Sequence, residues 1–291
     1  MNLSDLKLFA AAARLGSITK TAQELATVQS NVTARIRVLE EELGVQLFRR
    51  NHTGIVLTPK GQQLLPYAQQ SMALIQKAKD TVSNQKETDG PLKIGSLQTT
   101  AAARLPQLLK SYVALYKNVD ISIETGVAAD LVEKLLNYTV EGVFVPEPTA
   151  IHPDLVTVPA FEEELLMVTP AAYRTVKDYL AKGKIPKVLV FKSGCYYRQQ
   201  LEFYLSQTGI NLLNEMEFGT VDGIIGCISA GLGITMLPKS FIDCSALRKE
   251  VRTHKLDKSI SHVQIVFATR KAQLRSNALE GFLQLIAQNR H

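Results

Sequence analysis

Between Leu3 and Leu15 the apolar residues Leu6, Phe9, Ala10 and Ala13 recur at three- and four-residue steps, and Gly16 follows as a C-terminal cap. This spacing predicts a first helix. Ser17 stands as N-cap to a short second helix over residues 18–25, with Ala22 and Leu25 on its inner face. A third helix, from Gln29 or Ser30 to Leu43, places Val32, Ile36, Leu39 and Leu43 on one stripe and ends at Gly44. Only two or three residues separate the second and third helices, which fits a helix-turn-helix; periodicity alone favours a plain three-helix bundle. Residues 45–58, turning at Gly54 before Ile55, Val56 and Leu57, predict a two-stranded wing.

Thr58-Pro59 is a helix start signal, and Leu64, Leu65, Ala68, Met72, Ile75 and Ala78 form an amphipathic stripe over residues 60–85. Pro66 lies inside that pattern and is expected to bend or break the first turns. The polar stretch ending in Asp89-Gly90-Pro91 reads as a hinge. Beyond it strands and helices alternate: strands at 92–96, 120–125 and 142–145 with helices at 100–116 and 130–137. The pattern restarts with strands at 187–191, 215–218 and 234–237 and helices at 197–207 and 221–230. Alternation of this kind predicts parallel sheets with crossover helices in two α/β lobes. Residues 159–169 are placed as a crossing strand, 262–270 as the return, and 277–288 as the final helix.

The 291 residues, 46% hydrophobic and 21% charged, fit a folded chain of about two domains. Three cysteines, none spaced Cys-x-x-Cys, argue against a disulfide framework and for a reducing compartment. Neither a basic-then-apolar leader nor an 18-residue apolar run is visible, so a cytoplasmic chain with no membrane span is expected. The net charge of +6 is divided evenly between the first ninety residues and the rest, so a nucleic-acid reading has to rest on pattern.

That pattern lies on the third helix. Gln29, Ser30, Asn31 and Thr33 crowd hydrogen-bonding groups into its first turn, where base-edge readers belong, and Arg35 and Arg37 follow. Arg49, Arg50 and His52 supply wing cations for phosphates. Phe9, Gly16-Ser17-Ile18, Thr21-Ala22, Glu24-Leu25, Gln29-Ser30-Asn31-Val32, the run Leu39 to Gly44, Leu47-Phe48-Arg49-Arg50 and Leu57-Thr58 resemble the LysR-type transcriptional regulators. The resemblance is dense over the first sixty-five residues or so. It implies an all-α winged helix-turn-helix domain (1–58), a linker and dimerisation helix (59–86), a hinge (87–91) and a two-lobe α/β effector domain of the periplasmic-binding-protein type (92–291). It further implies double-stranded DNA with a dyad operator as partner, a small-molecule effector, and a homodimer assembled into a tetramer of two dimers. Position 34 departs from the family: Ala34 stands where many members carry a base-reading arginine, so no operator sequence is carried over.

In the C-terminal lobes, Ser96, Gln98, Thr99 and Thr100 join a strand to its helix, and Cys195, Tyr196 and Thr220 occupy the equivalent turns of the second lobe. Ligands of open α/β sheets bind at such turns, though these groups can equally cap their helices. Cys195, beginning a helix, could carry a lowered thiol pKa and act as a redox sensor instead. Gly231-Leu232-Gly233 precedes a strand, so it is assigned to packing and not to a dinucleotide site. No two of the five histidines stand three or four apart, and neither a P-loop nor a Gly-x-Ser-x-Gly elbow is present. No catalytic residue, metal or cofactor is expected. A solute-binding protein would share the two lobes but lack the helix-turn-helix.

Overall fold

The computed structural model describes residues 1–51, 54–82, 89–181, 185–210, 213–271 and 275–289. It separates into two compact units, Met1–Lys86 with Gln273–Ser276, and Glu87–Ala272 with Asn277–His291.

The first unit opens with α1 (Leu3–Leu15), whose Asn2 and Asp5 form a reciprocal capping box and whose Gly16 ends it at φ +60°. Next come α2 (Ile18–Glu24), capped by Ser17, and α3 (Gln29–Leu43), ended by Gly44 at φ +66°. Their apolar stripes close two clusters, one around Phe9, Leu39 and Leu47, the other around Leu8, Ala12, Val32 and Ile36. Phe9 is fully buried, and truncating such a side chain to alanine costs about 3–5 kcal/mol. Strands β1 (Phe48–Asn51) and β2 (Gly54–Leu57) pair antiparallel as a wing, Phe48 opposite Leu57. The wing is tied to the end of α1, where the Ile55 N–H donates to the Gly16 carbonyl at 2.9 Å. Gly54, at φ +144°, permits that approach, since a Cβ there would lie 2.2 Å from the Gly16 oxygen.

Helix α4 (Pro59–Val82) begins with the Thr58 hydroxyl accepting from the Gly61 N–H at 3.1 Å. It runs unbroken through Pro66, so the expected break does not occur: the lost hydrogen bond is local, and packing of Leu64, Leu65 and Ala68 onto the α1 cluster holds the turns on either side. The apolar stripe is thus partly used within the chain. Of the hinge expected at 87–91, residues 87 and 88 lie outside the described residues, as does His52, whereas 89–91 already belong to the strand that follows.

In the second unit β3 (Asp89–Ser96) leads into α5 (Gln98–Ala103) and α6 (Leu105–Leu115). The single helix expected over 100–116 is parted at Arg104. Pro106, in the first turn of α6, has no N–H to donate, and its ring clashes with the carbonyl four residues back. Then follow β4 (Asn118–Thr125), α7 (Ala128–Leu136), β5 (Gly142–Pro146), β6 (Leu155–Pro170), α8 (Val176–Leu180), β7 (Lys187–Phe191), α9 (Tyr196–Gln207) and β8 (Asn214–Phe218). The chain continues through α10 (Val221–Ser229), β9 (Thr235–Pro238), α11 (Lys239–Cys244), β10 (Val251–Lys255), α12 (Lys258–Ser261), β11 (His262–Arg270) and α13 (Asn277–Gln288).

The main sheet has the order β10-β6-β11-β5-β3-β4, with β9 also on β6, and it is mixed instead of purely parallel. The β3, β4 and β5 strands are parallel, as the crossover pattern predicts, whereas the strands passing between lobes run antiparallel. The 16-residue β6 explains this: its first half pairs with β11 and its second half with β9 and β10, so one strand belongs to both lobes. A separate parallel pair, β7 and β8, completes the second lobe. The first lobe's core centres on Tyr112, Phe144, Phe267 and Phe282, with Phe144 and Phe267 centroids 4.7 Å apart. Tyr112 satisfies its buried hydroxyl by donating to the Ala278 carbonyl at 2.7 Å, and burial pushes its pKa up. A second cluster of Leu189, Ile224, Ile225, Ile228 and Leu237 fills the other lobe.

Candidate nucleic-acid interface and ligand cleft

Opposite the buried stripe of Val32, Ile36 and Leu39, α3 presents Gln29, Ser30, Thr33, Ala34 and Arg37 to solvent. Thr33 donates its hydroxyl to the Gln29 carbonyl at 3.0 Å, and Asn31 donates to the Thr27 hydroxyl at 2.9 Å. These bonds lie within one turn, so the groups remain at the surface as the sequence predicts. The two helix arginines are held by carboxylates. Arg35 reaches Asp5, which is buried, at 2.6 Å and Asn2 at 3.1 Å, turning its guanidinium onto α1. The sequence alone places Arg35 among the DNA contacts, because a partner thirty positions away leaves no local signal. Arg37 pairs with Glu41 at 2.8 Å on the open surface. Arg49 and Arg50 stand exposed on β1, and the wing is positioned by Glu40, whose carboxylate accepts the Leu47 and Phe48 N–H groups at 2.6 and 3.1 Å.

In the second unit the residues chosen from the sequence gather at the seam between lobes. Gln98 donates to the Gly219 carbonyl at 2.9 Å, and Thr99 reaches the Tyr197 hydroxyl at 3.4 Å. Ser96 is buried and its hydroxyl is spent on the Leu97 carbonyl. Thr220 caps α10, accepting from the Gly223 N–H at 3.2 Å, so there the capping reading is realised. Thr100 differs from all of these: it is 2% exposed and its hydroxyl has no hydrogen-bond partner. Tyr196 is half-buried, with its centroid 6.3 Å from Tyr197. Cys195 is the N-cap residue of α9, but it packs into the core. Burial pushes its thiol up, and the Arg198 and Tyr197 N–H groups only partly oppose this, which corrects the lowered value expected at a helix start. All three cysteines are free thiols.

Several residues at the seam carry no sequence signal. Tyr197 is one, fully buried with a raised pKa caused first by burial. The ion pair between Lys192 and Asp130, at 2.6 Å, spans the lobes. Glu163, 2% exposed on β6, accepts from Arg104 at 2.7 Å and from Ser240 at 2.7 Å, so both carboxylate oxygens are satisfied. Each of these joins segments far apart in sequence. Among the described residues no cluster of His, Cys, Asp or Glu is arranged to hold a metal, and no helix is long and apolar enough to cross a membrane.

A family model for the bacterial regulatory helix-turn-helix proteins of the lysR family matches residues 3–62, and one for the LysR substrate binding domain matches residues 85–290. The chain belongs to the LysR family. Its relatives include the HTH-type transcriptional regulators YusT and GltR of Bacillus subtilis (strain 168), 41% and 40% identical over 283 residues. Each alignment covers 97% of this chain, with 94% of YusT and 95% of GltR. Similar solved structures include a full-length single-residue variant of OxyR from Pseudomonas aeruginosa (TM-score 0.80, 21% identity, 98% of this chain and 94% of that one). Full-length CbnR complexed with its target DNA is another (TM-score 0.66, 20% identity, 99% of each chain). As a LysR-family member the chain is a DNA-binding transcriptional regulator with an effector domain, and not an enzyme.

Proposed function

We propose that this LysR-family chain is a cytoplasmic regulator that reads a dyad operator, with a small polar effector at the seam between its C-terminal lobes altering how it binds DNA. In this reading Gln29, Ser30, Asn31 and Thr33 meet base edges, Arg37, Arg49 and Arg50 meet phosphates, and Arg35 holds the recognition helix on α1. His52, in the wing, joins the phosphate contacts. The observation that carries the effector is Thr100: a buried hydroxyl without a partner carries an uncompensated desolvation cost of about 1–3 kcal/mol, which a ligand's polar group would relieve. Its neighbours Gln98 and Thr99 already bond across the lobes, so a ligand inserted there alters the contacts that set their closure. Ser96, Cys195, Tyr196 and Thr220 complete the proposed surroundings.

Dimerisation through α4 is supported by Tyr67 and Leu74, 68% and 53% exposed on a helix whose Leu64, Leu65 and Ala68 are packed within the chain. A dyad needs two recognition helices about one helical turn apart, and a tetramer of two dimers extends the contact. The test is a mobility-shift titration on the gene's own upstream region across a salt series. A specific complex whose affinity falls steeply with salt is expected. Arg50→Ala should weaken all sequences alike and reduce the salt slope by about 1, whereas Thr33→Ala should narrow the gap between operator and random DNA. Absent or salt-insensitive binding, or a monomer at micromolar concentration, overturns the proposal.

A further inference from the structure

On α3, the centre of the outward stripe is occupied by an alanine. Ser30, Ala34 and Arg37 stand at i, i+4 and i+7, directly opposite Val32, Ile36 and Leu39, and Ala34 is exposed. Val28, the N-cap residue, makes no side-chain capping bond and is 64% exposed. Serine, threonine, aspartate or asparagine at an N-cap stabilise a helix by about 1 kcal/mol over an aliphatic residue. Valine here therefore forgoes stability and leaves two methyl groups in water, a departure from local rules that gains nothing within the fold. Thr33, its hydroxyl donated back to the Gln29 carbonyl, adds one more methyl group beside the stripe.

Both arginines of α3 are engaged by carboxylates, and only Arg37 stays on the outward stripe, at its far end. Arg35 is drawn to Asp5 and Asn2, and Arg37, two turns from the helix start, is paired with Glu41. Guanine is read chiefly by arginine or lysine on its O6 and N7, adenine by asparagine or glutamine, and thymine by apolar contact with its methyl group. The first two turns of α3 thus offer amides (Gln29, Asn31), hydroxyls (Ser30, Thr33) and methyl groups (Ala34, Val28), with the one guanidinium there, that of Arg35, turned onto α1.

We propose that Ala34 is a specificity-determining residue that packs against a thymine methyl group, with Val28 adding a second apolar contact, so that the half-site under the recognition helix is composed of A·T pairs. Gln29 supplies the adenine side of the same code. The inference rests on α3 being the DNA-reading helix and adds which bases it selects.

In vitro selection from randomised duplexes, with the full-length wild type and Ala34→Arg, tests it first. Wild type is expected to enrich A·T pairs across the half-site, and Ala34→Arg to convert one thymine position to guanine. In the selected wild-type duplex that thymine is then replaced by uracil, which removes only the methyl group. A loss of about fourfold in affinity is expected, the worth of one buried methyl group. Ala34→Gly, measured on the thymine and uracil duplexes, should distinguish them less than twofold; because both duplexes meet the same protein, any weakening of the helix cancels. Enrichment of G·C pairs by wild type, an unchanged affinity for the uracil duplex, or an equal uracil loss in Ala34→Gly overturns the inference while leaving DNA binding intact. Retained salt-dependent binding with no enriched sequence overturns sequence-specific reading itself, and this inference with it.

Discussion

On α3 the polar side chains Gln29, Ser30, Asn31 and Thr33 are exposed, and the hydrogen bonds of Asn31 and Thr33 end within one helical turn. Where β3 turns into α5 the polar side chains Ser96, Thr99 and Thr100 are buried, and Thr99 and Gln98 bond to residues 98 and 121 positions further along the chain. The contrast follows from what each surface meets. A helix that reads DNA keeps groups whose weak, solvated bonds are exchanged for base edges at small net cost. The seam has already desolvated its groups, so a ligand inserted there would have to replace protein bonds that join two lobes, and its binding would be coupled to their arrangement. The cations differ in the same sense. Arg35 and Arg37 in the first unit are each held by a single carboxylate, whereas Arg198 in the second is shared by Glu202, Glu215 and Glu217 from two elements.

The sharpest way to break the comparison is to remove Asp5, the buried carboxylate beneath the DNA-reading surface. Asp5→Ala removes the half of the α1 capping box in which its carboxylate accepts from the Asn2 N–H, together with the charge-assisted bonds to Arg35. Those bonds contribute less than a fully buried pair, because Arg35 is 34% exposed. A loss of about 2 kcal/mol confined to the first unit is expected, read by denaturant unfolding, with affinity for operator and random DNA falling together. Selective loss of operator binding at unchanged stability would instead make Arg35 a base reader. The opposite sign is expected at the cleft. Thr100→Val substitutes a methyl for the unpartnered hydroxyl at nearly constant volume and should stabilise the ligand-free second unit by about 1 kcal/mol, or roughly 2–4 °C. It should also remove the thermal shift produced by an effector. A destabilised Thr100→Val would mean that the hydroxyl already has a partner.

The two regions are not equally legible in the sequence. The boundaries of α1, α2 and α3 follow to within a residue from 3.6-residue periodicity and from Gly16 and Gly44, because helix stripes and αL caps are local signals. Strand β11 and helix α13 match their expected limits for the same kind of reason. Strand β10 has no such signature: Arg252, His254 and Lys255 give it no apolar alternation, and it exists because β6 offers it an edge. The exposed polar side chains of α3 can be placed from spacing alone. The engagement of Arg35 by Asp5, the buried Tyr197 and the Glu163 cluster cannot, since each joins distant segments whose meeting is decided by tertiary packing. Cys195 shows the limit most directly: its position at a helix start is legible, whereas the burial that reverses its thiol shift is not.

That reversal predicts reactivity more than stability. With its thiolate disfavoured by burial, Cys195 should be the last of the three thiols to react with iodoacetamide near neutral pH, and exposed Cys244 the first. Mass spectrometry of partially alkylated protein gives the order. Cys195→Ser is expected to leave DNA binding unchanged after peroxide treatment; a peroxide response lost in that variant would restore the thiol-switch reading over the ligand cleft.

The smallest expected effect is a dependence on acidity that belongs to the second unit. His254 on β10 lies 2.8 Å from the Thr169 hydroxyl on β6. Its pKa is lowered from about 6.5, first by burial and then by Arg252, with Asp178 pulling weakly the other way. The folded chain therefore favours the neutral ring, while the unfolded chain takes up a proton near the ordinary value. Stability from this group is fully present above about pH 6.5 and is lost as the pH falls through the window below it, down to the lowered folded value. The loss stays small because the ring is only half-buried and water shares in solvating its charge. Thermal unfolding of wild type and His254→Gln between about pH 7.5 and pH 5.5 isolates the contribution, with the variant expected to show the shallower decline. Parallel declines would mean that the Thr169 contact forms equally well with the protonated ring.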